Sequence, residues 1–162
     1  MKKIFILVLI VLLALVVLKY YIPRNDTVEV KTSAPANTET FRPDPSNATF
    51  ILDGVSVTLR SGKFEDDLEE VTIFDELAYG DINTDGKQDT ALLLAQYGGG
   101  SGTFIYVAAF ISGPVTYRGS EAVFIGDRIE PQSISINGDV VTVKYLDRGP
   151  DDVFSVEPTI PT

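Results

Sequence analysis

The chain has 162 residues, no Cys, no His, and a formal net charge of −10. Without thiols or imidazoles it has no disulfide staples, no Ser-His-Asp or Cys-His nucleophile and no His-based zinc site. Acidity of this order repels a phosphate backbone, which excludes nucleic acid as a partner, and it attracts cations.

The N-terminus reads as a membrane anchor. Met1-Lys2-Lys3 precedes an apolar run from Ile4 to Leu18, and Lys19-Tyr20-Tyr21-Ile22 extends it to Pro23. Ile4 to Ile22 spans roughly 28 Å as a helix, close to the thickness of a hydrocarbon core. Lys19 can snorkel, the Tyr pair suits an interfacial belt, and Lys2 and Lys3 predict a cytoplasmic N-terminus. The competing reading is a cleaved signal peptide. It needs small residues just after the apolar run, where Lys19-Tyr20-Tyr21 stands; Ala34-Pro35-Ala36 lies far downstream. Residues 1–23 are therefore expected to be a single-pass anchor, with the rest of the chain extracytoplasmic.

Residues 24–46 read as a disordered tether. Pro35, Pro43 and Pro45 stand among Thr, Ser and Asn, with little apolar pattern to offset ordering entropy. Such a segment supplies reach from the bilayer. Asn25-Asp26-Thr27 and Asn47-Ala48-Thr49 match the N-glycosylation triplet, which matters only in a host with the machinery. Residues 47–162 carry 19 acidic and 7 basic residues, a net charge of −12.

From Ala48 onward the pattern is β, with about eight strands. Thr49–Leu52 and Val55–Leu59 flank Asp53-Gly54, a two-residue hairpin signal, with Val55, Val57 and Leu59 predicted to face inward. Val71–Tyr79, Thr90–Tyr97, Thr103–Ile111 and Ala122–Ile125 follow. Ser133–Ile136 and Val140–Leu146 flank a second hairpin signal at Asn137-Gly138-Asp139. Ala91–Ala95 and Tyr106–Ile111 are unbroken apolar runs, as central strands covered on both faces require. Leu92, Leu94, Ile105, Val107 and Ile136 are predicted to be mostly buried. Lys63–Glu70 is too short and charged for a helix and reads as a solvated face, with a second cation site as the alternative. The expected fold is mainly β, an antiparallel β-sandwich or strongly curved sheet behind one N-terminal transmembrane helix.

The most informative segment joins two of these strands. Asp81-Ile82-Asn83-Thr84-Asp85-Gly86-Lys87-Gln88-Asp89 places oxygen side chains at loop positions 1, 3, 5 and 9, with glycine at 6. Ca²⁺ takes six to eight oxygens, and a short loop wraps it only if the chain turns sharply at the glycine. Asp81, Asn83 and Asp85 would supply side-chain oxygens and Lys87 its backbone carbonyl, its side chain pointing to water. Asp89 would close the site directly or through water. Position 12 is Leu92 rather than Glu and no helix pair flanks the loop, so it is not an EF-hand. A plain turn built on Asn-Thr-Asp-Gly is the alternative.

Gly98-Gly99-Gly100-Ser101-Gly102 joins two further strands. It reads as a flexible hairpin loop or as an anion nest or binding edge. No Gly-Lys-Ser/Thr follows, so it is not a P-loop. Thr103 at the second position after Ser101 rules out a nucleophile elbow.

The 81–89 loop with β flanks resembles the calcium loops of FG-GAP and VCBS repeats and, more loosely, dockerin loops, although those repeat and this one is single. Gly80-Asp81-x-Asn83-x-Asp85-Gly86-x-x-Asp89, then Gly98–Phe104, then Gly126-Asp127-Arg128 follow one another in an order similar to a group of uncharacterised bacterial envelope proteins. That resemblance spans residues 75–150 and implies an envelope location, with no activity attached. Relatives continue with Gly-Pro-x-Asp-Pro and cysteines; here Gly149-Pro150-Asp151-Asp152 stands without them.

The functional expectation is a membrane-anchored extracytoplasmic calcium-binding β module that binds a protein or glycan partner of the cell envelope, and not an enzyme. The alternatives are an accessory subunit whose helix docks in a membrane complex, and a small carboxylate hydrolase. The last would lack Trp platforms for sugar.

Overall fold

The computed structural model describes residues 41–153 and 155–162. The predicted anchor and residues 24–40 of the tether lie outside them. Among the described residues no helix is long and apolar enough to cross a membrane.

Every regular element among the described residues is a strand: β1 (Thr49–Leu52), β2 (Val55–Thr58), β3 (Lys63–Glu65), β4 (Glu69–Gly80), β5 (Asp89–Gly98), β6 (Phe104–Ile111), β7 (Arg118–Gly119), β8 (Val123–Asp127), β9 (Glu130–Asn137), β10 (Val140–Asp147) and β11 (Ile160–Pro161). The predicted strands all form. Additional to them are the short β3, β7 and β11, which have too few residues to display an alternation.

The central antiparallel sheet runs β3-β4-β5-β6. The far edge of β6 is shared: β7 pairs at Phe110 and Ile111, β8 at Phe104 to Val107. Curvature has a local source. Ile73 pairs with Leu94 and Leu77 with Leu92, so Phe74, Asp75 and Glu76 stand opposite Leu93 alone. A bulge of this kind bends the strand and strengthens its twist.

Ala91–Ala95 is buried along its whole length, which explains why it does not alternate polar with apolar. Leu92 and Leu94 point to one face, where they meet Phe50, Leu52 and Val57 of the β1–β2 hairpin, with Tyr106 and Ala108. Backbone bonds from Ile51 N–H to Ser120 O (3.3 Å) and from Ala122 N–H to Ile51 O (2.8 Å) stitch the hairpin to the sheet. On the other face Ala95, Ile105 and Ile129 form a second cluster, with Phe74, Ile125 and Tyr145 against it. β9 and β10 of the three-stranded sheet β9-β10-β11 cover it.

Both predicted hairpins turn over two residues. Asp53 (φ 48°) and Gly54 (φ 82°) are both left-handed, as a type I′ turn requires. In the second, Asn137 pairs with Val140, so the turn is Gly138-Asp139 rather than the triplet.

Of the residues expected to be mostly buried, Leu92, Leu94 and Ile105 are fully covered, and Val107 and Ile136 are partly so. Val107 pairs with Val123 near the sheet edge, and Ile136 lies close to its hairpin tip, so solvent reaches both. Val55, expected to face inward, is exposed beside its turn.

Residues 41–46, expected to end the tether, are packed onto the domain. Pro43 and Pro45 are buried. The Pro43 carbonyl accepts the Thr90 hydroxyl at 2.6 Å, and the Arg42 guanidinium lies 5.1 Å from the Tyr79 ring centre. Thr90 is fully buried, and a buried hydroxyl needs such a partner.

Leu94 is 0 % exposed. Leu94→Ala is expected to cost about 2–5 kcal/mol of unfolding free energy in a denaturant titration. Leu68, 80 % exposed, is the control: Leu68→Ala should stay within about 0.5 kcal/mol. A Leu94 loss no larger than the Leu68 loss would remove β5 from the centre of the fold.

Candidate metal centre

Gly80 and Asp89 are the last pair of the β4–β5 ladder, so residues 81–88 form the connection. Thr84 (φ 59°) and Gly86 (φ 82°) turn it through left-handed backbone. The side chains of the loop accept its own backbone N–H groups. The Asp85 N–H lies 3.0 Å from Asp81 Oδ1 and 3.1 Å from Asn83 Oδ1, which draws those two oxygens together. The Gly86 N–H donates to Asp81 Oδ2 at 2.8 Å, and the Lys87 N–H to Asp85 Oδ1 at 2.9 Å.

Asp89 has a different position. It is fully buried. Its Oδ2 accepts the N–H groups of Ile82 (2.8 Å) and Asn83 (3.3 Å), and its Oδ1 accepts the Ser112 N–H (2.7 Å). It therefore forms the base of the loop, while Asp81, Asn83 and Asp85 lie above it. Among the described residues no group of three acidic, His or Cys side chains gathers at one point.

Lys87 does not simply point to water. Its Nζ donates to the Gly113 carbonyl at 3.2 Å and lies 3.5 Å from Asp85 Oδ2. The Gln88 carbonyl accepts the Tyr117 hydroxyl at 2.9 Å. The Gln88 side-chain oxygen is buried without a hydrogen-bond partner among the described residues.

Sequence reasoning missed Ser112. Its hydroxyl donates to Asp85 Oδ2 at 2.7 Å, its carbonyl accepts the Asn83 amide at 2.8 Å, and its N–H serves Asp89. The Ser112 hydroxyl, helped by Lys87, holds the Asp85 carboxyl below its ordinary value. Nothing local marks Ser112, because only the β5–β6 pairing brings it under the loop.

The other motifs meet at the opposite end of β5 and β6. Asp127 Oδ1 accepts the Thr103 N–H at 3.0 Å, and the Arg128 N–H donates to the Thr103 carbonyl at 2.7 Å. Arg128 also pairs with Asp127 through its side chain at 2.7 Å. Arg148 Nη1 donates to the Arg128 carbonyl at 2.7 Å. Gly126-Asp127-Arg128 thus clamps the exit of the Gly98–Gly102 loop. The charged run at 63–70 forms β3 and the start of β4, and Lys63 pairs there with Glu65 and Glu70.

Comparison with protein-family models, curated proteins and solved structures returns no match.

Arg128 holds the Asp127 carboxyl below its ordinary value of 3.8, with the Thr103 N–H acting the same way. A depressed folded value contributes stability that is present above the unfolded value and is lost as pH falls through the folded one. The Thr103 amide resonance should therefore titrate with a midpoint below 3.8. A midpoint at or above that value would break the clamp.

Proposed function

We propose that this chain is a membrane-anchored extracytoplasmic β module that binds Ca²⁺ at residues 81–89 and a protein or glycan partner in the cell envelope. The observation that carries the metal reading is the shared Asp85 N–H, which holds oxygens of Asp81 and Asn83 beside each other on a loop turned by Gly86.

The donor chemistry fits a hard cation. Each carboxylate oxygen has about two acceptor sites, and Asp81 uses one on each oxygen for a backbone N–H. Asp81, Asn83 and Asp85 would hold the ion with side-chain oxygens, the Lys87 carbonyl would complete the loop's contribution, and Asp89 would close it from below. The ion would neutralise the Asp81 and Asp85 carboxylates of the loop. The Lys87 ammonium beside Asp85 supplies part of that positive charge meanwhile. The membrane reading rests on the apolar run 4–22 and its flanking Lys and Tyr residues.

Calcium binding to the folded state alone contributes about 2.7 kcal/mol at a hundredfold excess over Kd. Millimolar Ca²⁺ should raise the melting temperature of the chain by several degrees, and Mg²⁺ by less, since it demands a tighter octahedral shell. Asp85→Ala should abolish the response, whereas Glu65→Ala should leave it intact. A melting temperature indifferent to Ca²⁺ would leave the loop as a turn.

The orientation has its own test. The chain lacks Cys, so Ser101→Cys in the exposed glycine loop reports cleanly. An impermeant maleimide should label it on intact cells. Labelling only after lysis would reverse the topology, and a mature N-terminus beyond Tyr21 would remove the anchor.

A further inference from the structure

The sheet face covered by the β1–β2 hairpin continues beyond the hairpin's tip. Past Asp53-Gly54, Phe104 and Phe124 are 37 % and 49 % exposed. Their rings lie 6.2 Å apart at 56°, and Phe124 meets Tyr106 edge-on at 5.5 Å. Tyr106 pairs with Phe124 and Phe104 with Gln96 across the strands, so these side chains share one face.

Beside the rings runs a hydrogen-bonded chain of polar groups. The Tyr106 hydroxyl donates to Asp53 Oδ2 at 2.7 Å and lies 3.0 Å from Gln96 Oε1. The Gln96 amide donates to Glu69 Oε2. These bonds occupy one oxygen of each carboxylate and use the tyrosine proton internally. Among the described residues neither Asp53 nor Glu69 has a salt-bridge partner. The shelf therefore offers mainly acceptors, Asp53 Oδ1 and Glu69 Oε1, on the same sheet face as two exposed phenyl rings, whose quadrupoles attract positive charge. A neutral sugar brings hydroxyls that need donors as well as acceptors. A cationic side chain brings donors only, together with the charge that the carboxylates lack.

We propose that this shelf docks a Lys or Arg side chain presented by a basic segment of a partner protein. The proposal rests on the partner-binding reading above and is independent of calcium, because the shelf lies at the end of β5 away from the 81–89 loop.

The test titrates the full chain, in detergent micelles, with an acetylated and amidated tetralysine peptide. Amide resonances of Gln96 and Phe124 give the readout, and a tetraserine peptide and a neutral N-acetylglucosamine tetramer are the comparisons. Tetralysine should bind and shift these resonances. Phe124→Ala should weaken it about three- to tenfold, the scale of a lost cation–π contact. Asp53→Asn should weaken it comparably, since Asn tolerates the left-handed turn position. Asp151→Asn removes the same charge from an exposed site and should change affinity by less than about twofold. If Phe124→Ala fails to fold, the Asp53 and Asp151 pair decides alone. Equal losses for those two variants would reduce the binding to general charge attraction and overturn the proposal. Sugar binding at the shelf without tetralysine binding would overturn it in favour of a glycan platform. A partner captured by the wild-type chain and equally by the Phe124→Ala variant would refute the shelf while leaving partner binding intact.

Discussion

Burial of β5 on both faces is the constraint from which the rest of the domain follows. A strand with Leu92 and Leu94 on one side and Leu93 and Ala95 on the other, all at most 1 % exposed, cannot sit in a one-sided sheet. It needs hydrogen-bonded neighbours along both edges, supplied by β4 and β6, and apolar cover above and below. The β1–β2 hairpin provides one cover and β9–β10 the other. The layered architecture is the least arrangement that removes those side chains from water while keeping the β5 backbone paired.

The entry to that strand is polar and equally buried. Leaving a carboxylate unpaired there would be costly, and Asp89 avoids the cost by accepting three backbone N–H groups from two different connections. Charge-assisted bonds of this type are stronger than neutral ones. Their effect reaches outward: by fixing Ile82, Asn83 and Ser112, Asp89 sets the shape of the loop that carries Asp81 and Asp85. A buried anchor thus determines the geometry of the exposed oxygens. A loop resting only on solvent would have no such template.

The other end of β5 follows a similar logic with different chemistry. Asp127 holds the Thr103 N–H and is balanced by Arg128, and Arg148 braces that turn. Next to this clamp the hairpin cover stops short, and the aromatic face of Phe104 and Phe124 stands open beside Asp53 and Glu69. One end of the central strand is an oxygen-rich loop and the other is an aromatic and acidic shelf. The length of β5 separates the two.

Local sequence was enough for several features, each for a physical reason. Asp53-Gly54 fits a two-residue turn because both positions need left-handed backbone. The apolar run 91–95 marks a doubly covered strand because no face was left for polar residues. Asn83-Thr84-Asp85-Gly86 marks a tight connection between two strands, because Gly86 supplies left-handed backbone at the bend. The proposed anchor rests on sequence alone, on the length and flanks of an apolar run outside the described residues. Only tertiary structure could decide the rest. Ser112 enters the loop through a strand pairing between distant residues, and Pro43 joins the domain because buried Thr90 needs its carbonyl. Val107 and Ile136 lose full burial because they sit near an edge and a tip. Asp53, Glu69 and the two Phe rings form a shelf through sheet register. Periodicity and turn chemistry are local properties and can be read along the chain. Which side chains meet is set by how the layers stack, and that depends on the whole sequence at once.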